Sequence, residues 1–255
     1  MNAAAVRIAV SSSTFRRPLG AAELTQLEWL ERCASELGAD GVLAAVEHFP
    51  RRDAEYVAQL RKIAIDLGLV PFGLDAPGLL DPSHGAPGEA HDETLALAVS
   101  FGAAVIRTTL PAPGNVPPAT FVAATALAKA LSRAAKAVNV TVLVAAAPGT
   151  LAEDLTGLKH AVKDVDSSWL RAAPSAVAVD AIGPRDRYPA FVAVPGDDPA
   201  AVAARASRSW VILDAAAEDI AAQAVSAAAD PWALMRDAIG TLRAADAQLR
   251  LVAGR

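Results

Sequence analysis

Six polar residues stand where short apolar runs end: Glu47 and His48, Asp75, Arg107, Asp180 and Asp214. In α/β chains the carboxyl ends of strands carry the chemistry. A carboxylate, an imidazole and a guanidinium that converge there can bind an anionic or polyhydroxylated ligand. In such an arrangement Glu47, His48 and Asp180 are the candidate catalytic groups, with Glu47 or His48 as the base. Asp75, Arg107 and Asp214 are the candidate ligand contacts. All but Asp214 have a plainer reading. Glu47-His48 reads equally well as a solvated loop before Phe49-Pro50, Asp75 and Asp180 as caps of the turns that follow them, and Arg107 as half of a structural salt bridge.

Other polar clusters carry less. His84 and His91 lie near Asp81, Glu89 and Asp92, residue types that can hold a metal, but their irregular spacing reads as a solvated lid. His160 falls on the helix face opposite Leu158 and Val162, so it faces solvent. Gly183-Pro184-Arg185-Asp186-Arg187 is the one local basic cluster, and it reads as an ordinary charged loop in preference to a phosphate clamp.

The elements that must position these residues alternate. Apolar runs at 6–10, 41–46, 70–74, 104–108 and from Thr141 onward read as strands. Between them run amphipathic helices, one with Leu24, Leu27, Leu30, Ala34 and Leu37, another with Val57, Leu60, Ala64 and Leu67 behind Asp53 as N-cap. Leu37-Gly38, Leu67-Gly68 and Phe101-Gly102 each close a helix and lead into a strand, at spacings of 30 and 34 residues, one βα unit apiece. Eight such units account for 255 residues, so the expectation is a single domain, 1–255, built as a (β/α)8 TIM barrel with right-handed crossovers.

The second half is less regular. Residues 176–180 read as strand six, 210–214 as strand seven and 249–253 as strand eight, with a helix between the last two that Pro231 starts. The apolar run 191–194 is one more than eight units require. Since the chain stops at Arg255, this reading gives a barrel lacking its final helix and leaves Leu249 and Leu251 uncovered. A second copy packed on that flank, a homodimer, is the expected cover.

The fifth strand, Thr-Val-Leu-Val-Ala-Ala-Ala-Pro-Gly-Thr-Leu over 141–151, carries the sharpest motif. It resembles the sugar phosphate isomerase/epimerase family, the xylose isomerase-like TIM barrels, where a metal-binding Glu is followed by Asn-His-Pro-Gly-Thr. Here Ala145, Ala146 and Ala147 stand in place of Glu, Asn and His. The phrases Leu37-Gly38-Ala39-Asp40-Gly41-Val42, Leu60 to Leu69 and Val165-Asp166-Ser167-Ser168-Trp169-Leu170 extend the resemblance over nearly the whole chain. The family holds one divalent metal with a Glu at strand five, an Asp at strand six, a His at strand seven and a Glu at strand eight.

Carried over position by position, the resemblance implies Ala145 at strand five, Asp180 at strand six, Val211 with its neighbour Asp214 at strand seven, and no carboxylate in 249–253. One ligand of four remains, so no metal and no other cofactor is expected. The implied protein either binds a ligand, with Ala145 and Ala147 lining the mouth beside Asp75, Arg107 and Asp214, or isomerises a small, possibly sugar-like substrate without metal.

Composition excludes other classes. A net charge of −5 and a pI near 5.4 offer no attraction to nucleic acid or anionic lipid. Cys33 is the only cysteine, which precludes an intrachain disulfide framework and fits a reducing cytoplasm. Nothing in the sequence reads as a signal peptide or a membrane span.

Overall fold

The computed structural model describes residues 5–84, 87–114, 117–177, 188–206, 209–215 and 230–253. Eight parallel strands make one sheet: β1 Arg7–Ser11, β2 Gly41–Ala45, β3 Val70–Asp75, β4 Val105–Thr109, β5 Thr141–Ala145, β6 Leu170–Ala173, β7 Ala190–Ala193 and β8 Trp210–Leu213. They run in the order β6-β5-β4-β3-β2-β1-β8-β7. The two outer strands of that order meet through one parallel bridge, Ser175 to Val192, where Val192 N–H donates to Pro174 O and its carbonyl accepts from Ala176 N–H. The sheet is therefore a nearly closed α/β barrel.

Alternation along each strand divides the apolar residues between two layers. Ala9, Leu43, Val105, Leu143, Ala145, Ala173, Ala190, Val192 and Ile212 fill the barrel interior with Phe72 and Trp210. The Phe72 and Trp210 rings stack at 4.6 Å. A glycine makes room for this filling. A Cβ on Gly73 would lie 2.5 Å from Val105 Cγ2 and 2.8 Å from Leu43 Cδ1. Gly73→Ala is therefore expected to cost about 1–3 kcal/mol by overpacking, measured as a lower urea midpoint at unchanged slope.

The alternate strand residues, among them Ile8, Val10, Val42, Leu74, Ile106, Val142 and Val144, face the helices. Those helices are α1 Arg16–Gly20, α2 Gln26–Ser35, α3 Ala54–Asp66, α4 Pro87–Phe101, α5 Pro117–Ala137, α6 Leu155–Val165, α7 Pro199–Arg205 and α8 Pro231–Ala253. Local signals place their starts. Thr25 and Glu28 form a reciprocal capping box on α2, and Asp53, Asp154 and Asp198 cap α3, α6 and α7. Among the described residues no helix is long and apolar enough to cross a membrane.

The strand assignment of the second half differs from the sequence reading. The sixth strand is β6, Leu170–Ala173, and not 176–180; its Leu-Arg-Ala-Ala has no β-branched residue to mark it, and pairing with β5 from Val142↔Leu170 to Ala145↔Ala173 defines it instead. The surplus run at 191–194 falls on β7, and Trp210–Leu213 is the eighth strand, which pairs with β1. Asp180 lies outside the described residues.

Residues 249–253 are the last turns of α8, not a strand. A short apolar run is ambiguous between the two states, and the helical period decides. Trp232, Met235, Ile239 and Leu242 are buried at helical spacing, and Arg250 pairs with Asp246 one turn before it. The barrel has its final helix, so the uncovered strand from which a homodimer is inferred does not exist.

Candidate functional site at the barrel mouth

β1 ends in a run of hydroxyls that turns into a 3-10 helix, Ser12–Phe15. Each hydroxyl reaches a different strand end. Ser12 Oγ accepts Ala45 N–H at 2.8 Å and meets His48 Nδ1 at 2.8 Å. Ser13 Oγ donates to Asp75 Oδ2 at 2.8 Å, while Thr14 Oγ1 donates to Asp214 Oδ1 at 3.5 Å and accepts Ala215 N–H at 3.0 Å. The Ser-Ser-Thr segment thus ties together the carboxyl ends of β1, β2, β3 and β8. In sequence it is only a short polar run after the first strand, because no spacing rule foretells which strand a hydroxyl will reach.

The centre of the mouth is Arg107. It lies opposite Asp75 in the β3–β4 register and faces into the barrel two residues after Val105. Its Nε donates to Asp75 Oδ1 at 2.8 Å, and its Nη2 to Asp75 Oδ2 at 2.6 Å and Asp214 Oδ2 at 2.5 Å. All three side chains are buried. Burial alone would raise the Asp75 carboxyl, but the Arg107 charge and the bonds from Arg107 and Ser13 hold it below the usual carboxylate range. Burial likewise works against the Arg107 charge, and the two carboxylates outweigh it, so the guanidinium binds its proton more tightly than usual. Among the described residues Nη1 takes part in none of these bonds.

His48 lies beside this cluster. Its side chain is only 3% exposed, and its Nε2 is buried with no hydrogen-bond partner among the described residues, the Glu47 carboxylate standing 3.6 Å away. Because Ser12 Oγ already accepts from Ala45, its O–H is best assigned as the donor to Nδ1, which then accepts and leaves the ring hydrogen on Nε2. Burial pushes the His48 pKa below its ordinary value; Glu47 and Asp75 pull it upward and Arg16 downward. The sign follows: between His48's folded pKa and about 6.5 the unfolded chain binds more protons, so stability falls as pH drops through that window. His48→Asn is expected to remove that part of the pH dependence, read from urea midpoints at successive pH values.

The opposite wall is apolar. Ala145 is buried at the end of β5 beside Ala173 of β6, and Ala147 is half-buried in the next turn, where its carbonyl accepts from Thr150 Oγ1 at 2.8 Å. The Pro-Gly-Thr turn is therefore present and closes on itself, with Gly149 at φ 71°. Of the residues singled out from sequence, the fold brings Asp75, Arg107, Asp214 and His48 together, while Ala145 lines the barrel interior at the end of β5. Glu47 stands at the rim, half-exposed and paired with Arg16 at 2.9 Å. His91 is no part of a solvated lid. It is buried, and its Nε2 bonds the Leu79 carbonyl at 2.9 Å, so its helix is tied to the preceding loop.

The divalent metal implied by the family resemblance does not fit the described residues. With the strands reassigned, the carboxyl ends of β5, β6 and β7 present Ala145, Ala173 and Ala193, and only β8 ends in a carboxylate, Asp214. Asp214 thus takes the strand-eight position, and Val211 is a buried mid-strand residue packed toward the helices. That lone carboxylate already holds a guanidinium. Among the described residues no group of three or more His, Cys, Asp or Glu is placed to hold an ion.

No protein-family model and no curated protein matches this chain. Solved structures do. An L-ribulose 3-epimerase superposes with a TM-score of 0.68 at 18% identity, over 97% of this chain and 98% of its own. A D-psicose 3-epimerase crystallised in the presence of D-fructose gives 0.68 at 16%, over 98% and 100%. The E. coli 3-keto-D-glucoside 4-epimerase YcjR gives 0.65 at 13%, over 94% and 99%. At these identities the likeness establishes the fold, an α/β TIM barrel.

Proposed function

We propose that this chain is a sugar phosphate isomerase/epimerase-like barrel that has left divalent-metal chemistry and binds a small ligand at its mouth, as a binding or regulatory protein. The observation that carries the reading is the guanidinium of Arg107 clamped between Asp75 and Asp214, facing a wall whose strand ends are alanines. A ligand suited to this mouth offers a carbonyl or hydroxyl oxygen to Arg107 Nη1 and a less polar body to Ala145 and Ala173. The lone cysteine, Cys33, is free and buried, which fits a cytoplasmic setting.

The test is a thermal-shift panel in the presence of EDTA, comparing free sugars, sugar phosphates and hydroxy-carbonyl compounds with apolar substituents. The reading expects a saturable rise in melting temperature from the third group. Tight, saturable binding of a simple sugar phosphate, or turnover that requires a divalent ion, contradicts it.

One observation favours a second reading, a metal-independent isomerase or epimerase: His48 Nε2 is buried, without a hydrogen-bond partner among the described residues, and next to the cluster. With Glu47 at the rim, it can move a proton on a small polar substrate. Exchange of substrate C–H for deuterium in D2O with EDTA present, lost in His48→Asn, would favour turnover; no exchange across aldoses and ketoses would leave the binding reading alone.

A further inference from the structure

Two nitrogens from different elements converge on one carboxylate oxygen at the rim of the mouth. Glu47 Oε1 accepts from Arg16 Nε at 2.9 Å and stands 3.6 Å from His48 Nε2. The second separation is too long for a hydrogen bond. Ser12 nevertheless holds the imidazole so that its hydrogen lies on Nε2. The His48 side chain is 3% exposed and this N–H has no partner among the described residues, an arrangement that costs free energy until an acceptor closes the gap. Glu47 and Arg16, by contrast, are 50% and 61% exposed, and exposed pairs of this kind are weak. From this geometry we infer that Arg16 and His48 Nε2 form a rim site for the carboxylate of a ligand, and that Glu47 occupies it in the free protein. The inference rests on the binding reading above and deepens it: the ligand is a small acid with one carboxylate and an apolar body, and Glu47 swings aside to admit it.

The two donors divide the work. Arg16 supplies the positive charge, and its bond to Glu47 uses Nε alone, at one edge of a fork that suits a planar carboxylate. His48, which burial keeps neutral, supplies a directed N–H without adding charge. The ligand that fits is therefore singly charged, as Glu47 is. The Asp75 carboxylate lies close enough to act on His48, and Arg16 acts on Asp75 in turn, so a phosphate dianion would bring a second negative charge against Asp75 with no further cation to meet it. When a ligand carboxylate replaces Glu47, the displaced side chain moves into water, where its charge is well solvated, and the buried N–H gains the acceptor that Glu47 leaves just out of reach.

The experiment titrates the full wild-type chain, Glu47→Ala, Glu47→Ala/Arg16→Ala and Glu47→Ala/His48→Asn, all in EDTA. The probes are 2-oxoisocaproate, its uncharged amide and inorganic phosphate, with binding followed by calorimetry. Glu47→Ala is expected to bind the acid about fivefold tighter than wild type, because the competing carboxylate is gone. Adding Arg16→Ala or His48→Asn should cancel that gain, and the amide should bind wild type and Glu47→Ala alike. Should the His48 variant fail to fold, the Arg16 variant decides, since Arg16 is mostly exposed and its loss leaves the core intact. An acid bound no tighter by Glu47→Ala than by wild type, or a gain that survives Arg16→Ala, overturns the inference. Phosphate binding Glu47→Ala as tightly as the acid also overturns it, by making the rim a site for any anion. Binding of the amide without the acid overturns the inference and leaves the binding reading standing. Failure of both overturns the inference alone, because the binding reading is decided by the wider panel of sugars and hydroxy-carbonyl compounds.

Discussion

A chain ended at Asp230 is expected to stay unfolded. The segment removed is α8, which buries Trp232, Met235, Ile239 and Leu242 against the barrel. Trp232 also packs at 4.2 Å on the Phe15 ring and lies beneath the Arg32 guanidinium. Burial of each such side chain contributes about 1.5–3 kcal/mol, so the four together offset about 6–12 kcal/mol, comparable to the whole stability of an ordinary domain, about 5–15 kcal/mol. A chain ended at Gln248 is expected to fold, with a melting temperature close to that of the full chain, because Leu251 and Val252 are mostly exposed. Circular dichroism and urea titration of both chains decide the matter. If 249–253 were a barrel strand, the shorter deletion would be as damaging as the longer one.

The second large effect concerns the mouth. Arg107→Met is expected to lose about 3–5 kcal/mol, the usual consequence of removing one member of a buried ion pair and leaving the other charged. Arg107→Lys keeps the charge but not the fork that bonds Asp75 through two nitrogens, and it should fall between wild type and Arg107→Met. The Asp75 contribution also has a pH signature. Its folded pKa is depressed, so the contribution is fully present above the unfolded value near 3.9 and is lost as pH falls through the folded one. Urea midpoints of the three chains from neutral to acid pH measure both effects. A loss below about 1 kcal/mol for Arg107→Met would match an exposed pair and would show that the cluster is not buried in solution.

The first half of this fold can be read in the chain because its signals are local. Gly38, Gly68 and Gly102 all adopt positive φ where the helices close, and the strands behind them are apolar and bounded by turns. From β6 onward the signals weaken. Leu170–Ala173 is a strand because its backbone pairs with β5, and nothing in Leu-Arg-Ala-Ala favours extended structure by itself. With β6 unmarked, the sequence reading shifts the later strands, and the surplus run at 191–194 is the trace of that shift. Site residues follow the same division. That Asp75, Arg107 and Asp214 end strands is visible in sequence, but their mutual bonding depends on the pairing that sets β8 beside β1 in the curved sheet. The hydroxyls of Ser12, Ser13 and Thr14 matter only once those ends have met.

The central claim is that a guanidinium, and no divalent metal, supplies the positive charge at the barrel mouth. Calorimetric titration of Mn2+ into the metal-stripped wild-type protein tests it most directly. The account predicts no saturable heat and no change in melting temperature on adding Mn2+ or EDTA. One-site binding of Mn2+ that raises the melting temperature and is reversed by EDTA would contradict it.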